Sequence, residues 1–485
     1  MSSDSVSPIE FGSALFFYAI KTGGNNMSET ARKENKMGVM PMPKLMLSMG
    51  LPMIISMIVQ AFYNIVDSYF VSRITDDTVA NMGEYAVNAL TLAYPVQLLI
   101  IAVGVGTGVG INAMLSRSLG EKNFERAGKI AGNAMFLGVC TYIVFMLFGI
   151  FGTDAFLKTQ TTDKLALKLA GEYLGICCVL SFGAVGSMIF EKLLQATGKT
   201  IHSTVAQLAG AIANIILDPV LIFGLGPFPQ LGVKGAAYAT VIGQILTMVI
   251  GGALHFVCNR EIPSGIKYFK PQKQMIGSIY KIGIPAIIIQ ALMSVMTYGL
   301  NVILYRIGQS AVTAYGIYYK IQQFVFFASF GMNNTIIPVV SYNYGKGDKS
   351  RVRGGIKYGM LYTLGLMLLG VIGLQLFASE ICKVFSLSAD TEQYAIYAIR
   401  IITVGYLFAG ANIAYQGIFQ ALDHGIASLV LSIIRLLAIP LPVAYLLTLS
   451  ASAGKIVWAA VPFGELIGIV AALIIMNRIK KQAEL

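Results

Sequence analysis

Charge is what this chain has least of. Only 12% of its 485 residues are Asp, Glu, Lys or Arg, where ordinary soluble domains carry about 25%. Hydrophobic residues make up 56%, and the mean hydropathy is +0.71. Together these exclude a soluble domain around one core and imply a polytopic membrane protein, in which most residues face lipid or other helices. The three histidines, His202, His255 and His424, are scattered and form no ligand pair. The five cysteines, Cys140, Cys177, Cys178, Cys258 and Cys382, lie in or beside apolar runs without metal-site spacing, so they read as small packing residues. Gly104, Gly106, Gly108 and Gly110 follow no strand and sit inside an apolar run, which favours close helix packing over a nucleotide loop. A secretory signal is missing too. Phe11 to Ile20 is apolar for only about ten residues with no basic stretch before it, too short for a bilayer that needs about 20.

Long apolar runs are what the chain has instead. Twelve spans are expected at roughly 45–72, 86–116, 127–152, 165–190, 200–225, 233–258, 276–306, 312–341, 355–378, 392–420, 426–449 and 455–477. The net charge of +12 and pI near 9.3 do not call for nucleic acid. Most Lys and Arg cluster on one side, in the leader, the connections Arg117 to Arg126, Glu191 to Lys199, Arg260 to Lys281 and Tyr344 to Lys357, and the tail Arg478 to Lys481. The positive-inside rule then puts both termini in the cytoplasm of a plasma-membrane protein. A repeat divides the chain. Gly50, Pro52 and Arg73 align with Gly283, Pro285 and Arg306 at one constant offset, and Gln195 and Ala196 align with Gln420 and Ala421 at a slightly shorter one. The expected fold class is an all-α polytopic membrane protein with twelve transmembrane helices in two pseudo-symmetric six-helix lobes. Its parts are a disordered cytoplasmic leader 1–43, an N-lobe 44–258, an interlobe linker and hinge 259–280, and a C-lobe 281–485 with a short basic tail. Met27 opens a leader that needs nothing upstream, so residues 1–26 are expected to be dispensable or untranslated.

The few polar groups inside the spans carry the functional reading. Asp67 lies in Asn64-Ile65-Val66-Asp67-Ser68, and a carboxylate at that depth is expensive unless it meets a cavity, a cation or a hydrogen-bonding partner. Three-residue spacing puts Asn64 on its helix face. In the fifth span Asn214 and Asp218 are four residues apart, just before Pro219. With a helical rise of about 1.5 Å per residue, Asp67 and Asp218 can reach the same depth and share one site. The eighth span interleaves Tyr315, Tyr318, Tyr319 and several phenylalanines with Gln322 and Asn333, side chains suited to flat, often cationic ligands. Arg435 and Glu465, in the last two spans, read as a neutralising structural ion pair.

Twelve spans in two related halves, Gly50-Leu51-Pro52, Tyr63-Asn64-Ile65-Val66-Asp67 and Leu194-Gln195-Ala196-Thr197-Gly198 together resemble the multidrug and toxic compound extrusion (MATE) family over about residues 44 to 478. The resemblance implies a secondary active exporter of drugs and organic cations, not an enzyme, driven by inward H⁺ or Na⁺ through alternating access, with no cofactor beyond the coupling ion. It also implies an N-lobe cation site of Asp67, Asn214, Asp218 and Thr240, with Na⁺ at Asp67 and Asp218 as one option, and the spacing argument adds Asn64 to it. The seventh span offers Gln290, Thr297 and Asn301 but no acid, which points to the branch that couples through the N-lobe. Tyr315, Tyr319, Gln290, Gln322 and Asn333 are the expected substrate contacts, and the chain is expected to work as a monomer among membrane lipids. Two rivals are weighed. A lipid-linked precursor flippase of related fold would want a cationic cleft, and the spans offer only Arg435, Lys320 and Arg400. An intramembrane aspartyl protease would want its second aspartate beside glycines, and Asp218 precedes proline instead.

Overall fold

In the computed structural model, residues 34–75, 81–383, 385 and 387–483 are described. The expectations for residues 1–26 and for Phe11 to Ile20 lie outside them. The described residues form helices and the turns between them, as they must where lipid supplies no partner for backbone groups. Among the described residues, eleven helices are long and apolar enough to cross a membrane, and a twelfth span is completed by the bent pair Lys164–Val179 and Phe182–Ala196.

The contacts divide the chain into two units. Of the described residues, the first holds Val59–Ile279 and residues 34–36. It takes the second part of α2 (Met42–Ser72), then α3 (Met82–Gly120), α4 (Phe124–Phe151), α5 (Thr153–Lys158), α6 (Lys164–Val179), α7 (Phe182–Ala196), α8 (Thr200–Phe223) and α9 (Val233–Cys258). One expected span, 165–190, is therefore two helices, α6 and α7, bent by 45°. Its core runs through Val71, Ala89, Ala93, Leu169, Tyr173, Leu174 and Ile222. Gly104, Gly108 and Gly110 are contact points, since a Cβ on each would strike Met188 Sδ, Lys192 Cγ and the Ile279 carbonyl respectively. The stretch 259–280 is no free hinge. Asn133 Oδ1 accepts from the Gln272 N–H at 2.8 Å, Asn133 Nδ2 donates to the Lys270 carbonyl, and the Tyr268 backbone packs against Gly132. These contacts fasten the linker to α4, because its backbone groups need partners and Asn133 offers both a donor and an acceptor.

The second unit holds Met37–Ile58 and Tyr280–Leu485. It comprises α1 (Lys36–Val39) beyond Lys36, the first part of α2, α10 (Lys273–Leu304) beyond its first turns, α11 (Gln309–Gly345), α12 (Lys349–Lys383), α13 (Ala389–Ile402), α14 (Tyr406–Ala421), α15 (Gly425–Ile433), a π-helical turn Ile434–Ala438, α16 (Pro440–Leu447), α17 (Ala453–Ile456) and α18 (Ala460–Ala483). Tyr318, Met367, Ile399, Tyr406, Ile413 and Trp458 are buried together in its core. The expected boundaries at 43 and 258 differ from these units, for two local reasons. Residues 37–43 are not a loose leader: Met37 is fully buried, its carbonyl accepts from Asn343 Nδ2 and Arg351 Nη2, and Arg351 also holds the Met40 carbonyl. Beyond them, a Cβ on Gly331 would lie 2.8 Å from the Ile54 backbone, so α11 carries glycine where α2 packs against it.

The repeat is visible in geometry within each unit. Ser116 Oγ donates to the Ala196 carbonyl, and at the matching positions of the second half Ser341 Oγ donates to the Ala421 carbonyl. Asn123 and Asp348 each cap the next helix through the N–H of Arg126 and Arg351. The turns before those caps take positive φ at Lys122 and Gly347, and a second pair does so at Gly198 and Asp423. Backbone shape is thus repeated even where a non-glycine residue has to adopt the left-handed conformation.

Candidate functional site

The first unit builds a pair of buried acids. Asp67 sits well inside α2 and Asp218 inside α8, both buried. Pro219 supplies no N–H, so the α8 ladder is interrupted beside Asp218. What carries α8 against α9 is a glycine contact. A Cβ on Gly210 would lie 2.5 Å from the Gly243 carbonyl, and one on Gly243 would lie 2.7 Å from the Gly210 carbonyl and 3.2 Å from Asn214 Cβ. That close approach sets Asn214 between its neighbours. Its Nδ2 is 3.4 Å from Asp218 Oδ1 and 3.5 Å from Thr240 Oγ1, both long for hydrogen bonds. Asp67 lies within electrostatic reach of Asp218, and Tyr63 within reach of both.

Three oxygens here have no hydrogen-bond partner among the described residues: Asp67 Oδ1, Asn214 Oδ1 and Asp218 Oδ2. A buried acceptor left unsatisfied costs roughly 1–3 kcal/mol, and more when charged. No described ion pair includes either aspartate. Such a cluster can take up a proton. Its donors are all oxygens, two carboxylates with an amide carbonyl and a hydroxyl, which also suits a hard monovalent cation such as Na⁺. Among the described residues no three His, Cys, Asp or Glu side chains gather as a metal site.

The expected residues do not all converge. Asn64 is exposed; its carbonyl accepts from Ser68 Oγ, and no described contact joins its amide to the cluster. A three-residue step is still about 60° around a helix, enough to separate a buried from an exposed position. Tyr63 was legible in the sequence motif but not singled out. Gln97, Tyr173 and Cys177 gave no signal as a set, although Gln97 Nε2 reaches Tyr173 Oη at 3.3 Å and Cys177 Sγ at 3.7 Å, and Tyr173 is within reach of Asp67.

In the second unit, Tyr315, Tyr319 and Gln322 line a cavity of about 40 Å³ together with Arg435 and Glu465. Drug-sized ligands need about 300–1,000 Å³, so these three side chains do not enclose such a ligand within this unit. Asn333 is elsewhere, packed against Gly417 with its Oδ1 unpartnered, and Gln290 is half-buried on α10. Arg435 Nη1 stands 3.6 Å from Glu465 Oε2, and Asn412 Nδ2 donates to that same oxygen at 2.7 Å.

With this geometry in hand, comparison with known proteins defines the class. The MatE family model matches residues 52–220 and 285–446, one match in each half of the repeat. The chain belongs to the MatE family, and it is a multi-pass membrane protein with twelve spans in two related sets. It is 26% identical over 436 residues to the multidrug export protein MepA of Staphylococcus aureus (strain MSSA476), covering 90% of this chain and 94% of that one. MepA of Staphylococcus saprophyticus is 24% identical over 434 residues, covering 89% and 93%. Among solved structures, an outward-facing multidrug resistance MATE family transporter of the MOP superfamily superposes with a TM-score of 0.86 at 24% identity, covering 94% of this chain and 99% of that one.

Proposed function

We propose that this protein is a secondary active multidrug exporter of the plasma membrane. It expels small drugs and organic cations by alternating access as a monomer, with both termini in the cytoplasm. Inward movement of H⁺ or Na⁺ at Asp67 and Asp218 drives it. The observation that carries the coupling is the pair of buried acids with three unpartnered oxygens and no described ion pair. Neutralising a carboxylate in such a place removes a large desolvation penalty, enough to change which helix packing is preferred. Asn214 and Thr240 hold the acids in register, and Tyr63 sits beside them as a hydroxyl that can follow the change in charge. The protein moves its substrate without changing it, so no catalytic residue is assigned.

The test is efflux of an organic cation dye from vesicles containing the purified protein, with a proton gradient, a sodium gradient, both or neither. Efflux should require at least one gradient. Uphill efflux of undiminished rate with both gradients collapsed would overturn the coupling.

A further inference from the structure

The second unit contains a buried polar site that the coupling reading leaves unused. In the repeat, Glu465 occupies the position of Thr240 and Arg435 that of Gly210. Arg435 falls in the π-helical turn Ile434–Ala438, a distortion that recurs at functional sites in helices. Its side chain is 2% exposed and lines the 40 Å³ cavity together with Tyr318 and Tyr406. Among the described residues Arg435 Nε has no partner in that wall, and the hydroxyls of Tyr318 and Tyr406 interact only with each other, which leaves one hydroxyl hydrogen free. The remaining guanidinium contacts are loose, at 3.6 Å to Glu465 and 3.5 Å to the Ala409 carbonyl, whereas a strong charge-assisted bond runs about 2.7–2.9 Å.

A cavity bordered by unpartnered donors asks for an acceptor. It is roomy enough for one, because about 10–15 Å³ already holds a water. The occupant is not a cation, since an arginine stays protonated in proteins and holds a permanent positive charge in the wall. We propose that this cavity is a binding site for a small monovalent anion of the halide class, held by Arg435, Tyr318 and Tyr406 and taken up together with a proton on Glu465.

The proton follows from charge balance. Among the described residues, Arg435 and Glu465 are the only charged ones lining the cavity. From the other walls, α10 contributes Met293, Met296 and Thr297, and the titratable groups of α11 and α14 are tyrosines: Tyr315, Tyr318, Tyr319 and Tyr406. With Glu465 ionised, an added anion makes two negative charges against one positive; with Glu465 protonated, the anion and Arg435 balance. Anion affinity should therefore fall as pH rises. Within this lobe, Thr297 does not compete for the anion, because its hydroxyl already donates to the Met293 carbonyl at 3.0 Å.

The experiment uses the purified full chain. Bromide replaces chloride for anomalous diffraction, and thermal stability is followed against chloride with gluconate as the control, at pH 5.5 and pH 8. The expected result is a bromide peak between Arg435 and the two tyrosines, with stabilisation by chloride that is stronger at the lower pH. Tyr318→Phe and Tyr406→Phe keep the packing and remove only the hydroxyls; each should weaken chloride binding at least tenfold. Glu465→Gln, still able to accept from Asn412, should bind chloride equally at both pH values. An ordered water in place of bromide, or stabilisation unchanged in both tyrosine variants, overturns the proposal. Neither result bears on coupling at Asp67 and Asp218.

Discussion

The two halves of this protein handle the same problem, buried polarity in lipid, in opposite ways. Among the described residues, the first half keeps Asp67 and Asp218 without a basic partner, and the positions that repeat them in the second half are Leu300 and Val443. The second half buries an acid too, at Glu465, but sets Arg435 and Asn412 against it. Both use the same helix crossing. Gly243 and Gly468 are repeat partners, one facing Gly210 and Asn214 and the other facing Arg435 and Asn412. An uncompensated acid makes each proton or cation a large perturbation of its own lobe, while one set against an arginine can change charge at little cost only together with a counter-ion. Duplication supplied the scaffold, and substitution at the crossing gave each lobe its electrostatic character.

The comparison breaks most decisively at the acids. Asp67→Asn and Asp218→Asn match the protonated carboxyl in size and cannot change charge, so gradient-driven efflux should fall at least a hundredfold in each. Expression and drug binding should persist, and the double variant should be no worse than either single, as expected of residues that act as a unit. Full ion-coupled efflux in either single variant would make that residue structural. In the other lobe, Arg435→Leu or Glu465→Leu alone should destabilise by about 3–5 kcal/mol, because each strands a buried charge, and the double change should recover part of that. Thermal unfolding in detergent reads this out, and a loss in the double variant equal to the sum of the two single losses would show that the pair is not coupled.

A smaller effect is expected at the crossing itself. Gly243→Ala places a methyl 2.7 Å from the Gly210 carbonyl, and overpacking of this kind costs about 1–3 kcal/mol. It should also reduce coupled efflux by moving Asn214 relative to Thr240, whereas Gly175→Ala, where a Cβ meets nothing within 4 Å, should leave both unchanged. The mildest change is at the linker. Asn133→Ala removes its bonds to Gln272 and Lys270, and hydrogen exchange over residues 262–272 should quicken about tenfold, corresponding to about 1.4 kcal/mol, with transport little altered. Unchanged exchange would mean that Tyr268 packing alone holds the segment.

Much of this was readable in the chain. The spans, the repeat and the two costly acids are statements about residue type and spacing along one segment at a time, and hydropathy is additive over such a segment. Asn64 shows where that reading ends: spacing placed it near Asp67, yet whether a position slightly further round the helix is buried depends on what packs there. The linker shows it again. Its composition reads as a free basic hinge, and one asparagine on a helix far away in sequence makes it a fastened strap.

By itself, then, the sequence determined that the protein crosses the membrane in two related sets of six spans, and that Asp67 and Asp218 are the groups whose burial demands a reason. Only the tertiary structure decided that the first part of α2 packs with the second unit, that Asn214 also reaches Thr240, and that Arg435 shares a cavity with the hydroxyls of Tyr318 and Tyr406. Helix formation in lipid follows from local composition because every backbone group must bond within its own segment. Which faces then meet is settled by contacts of a few ångströms between glycines and side chains on different helices, and no single segment carries that information.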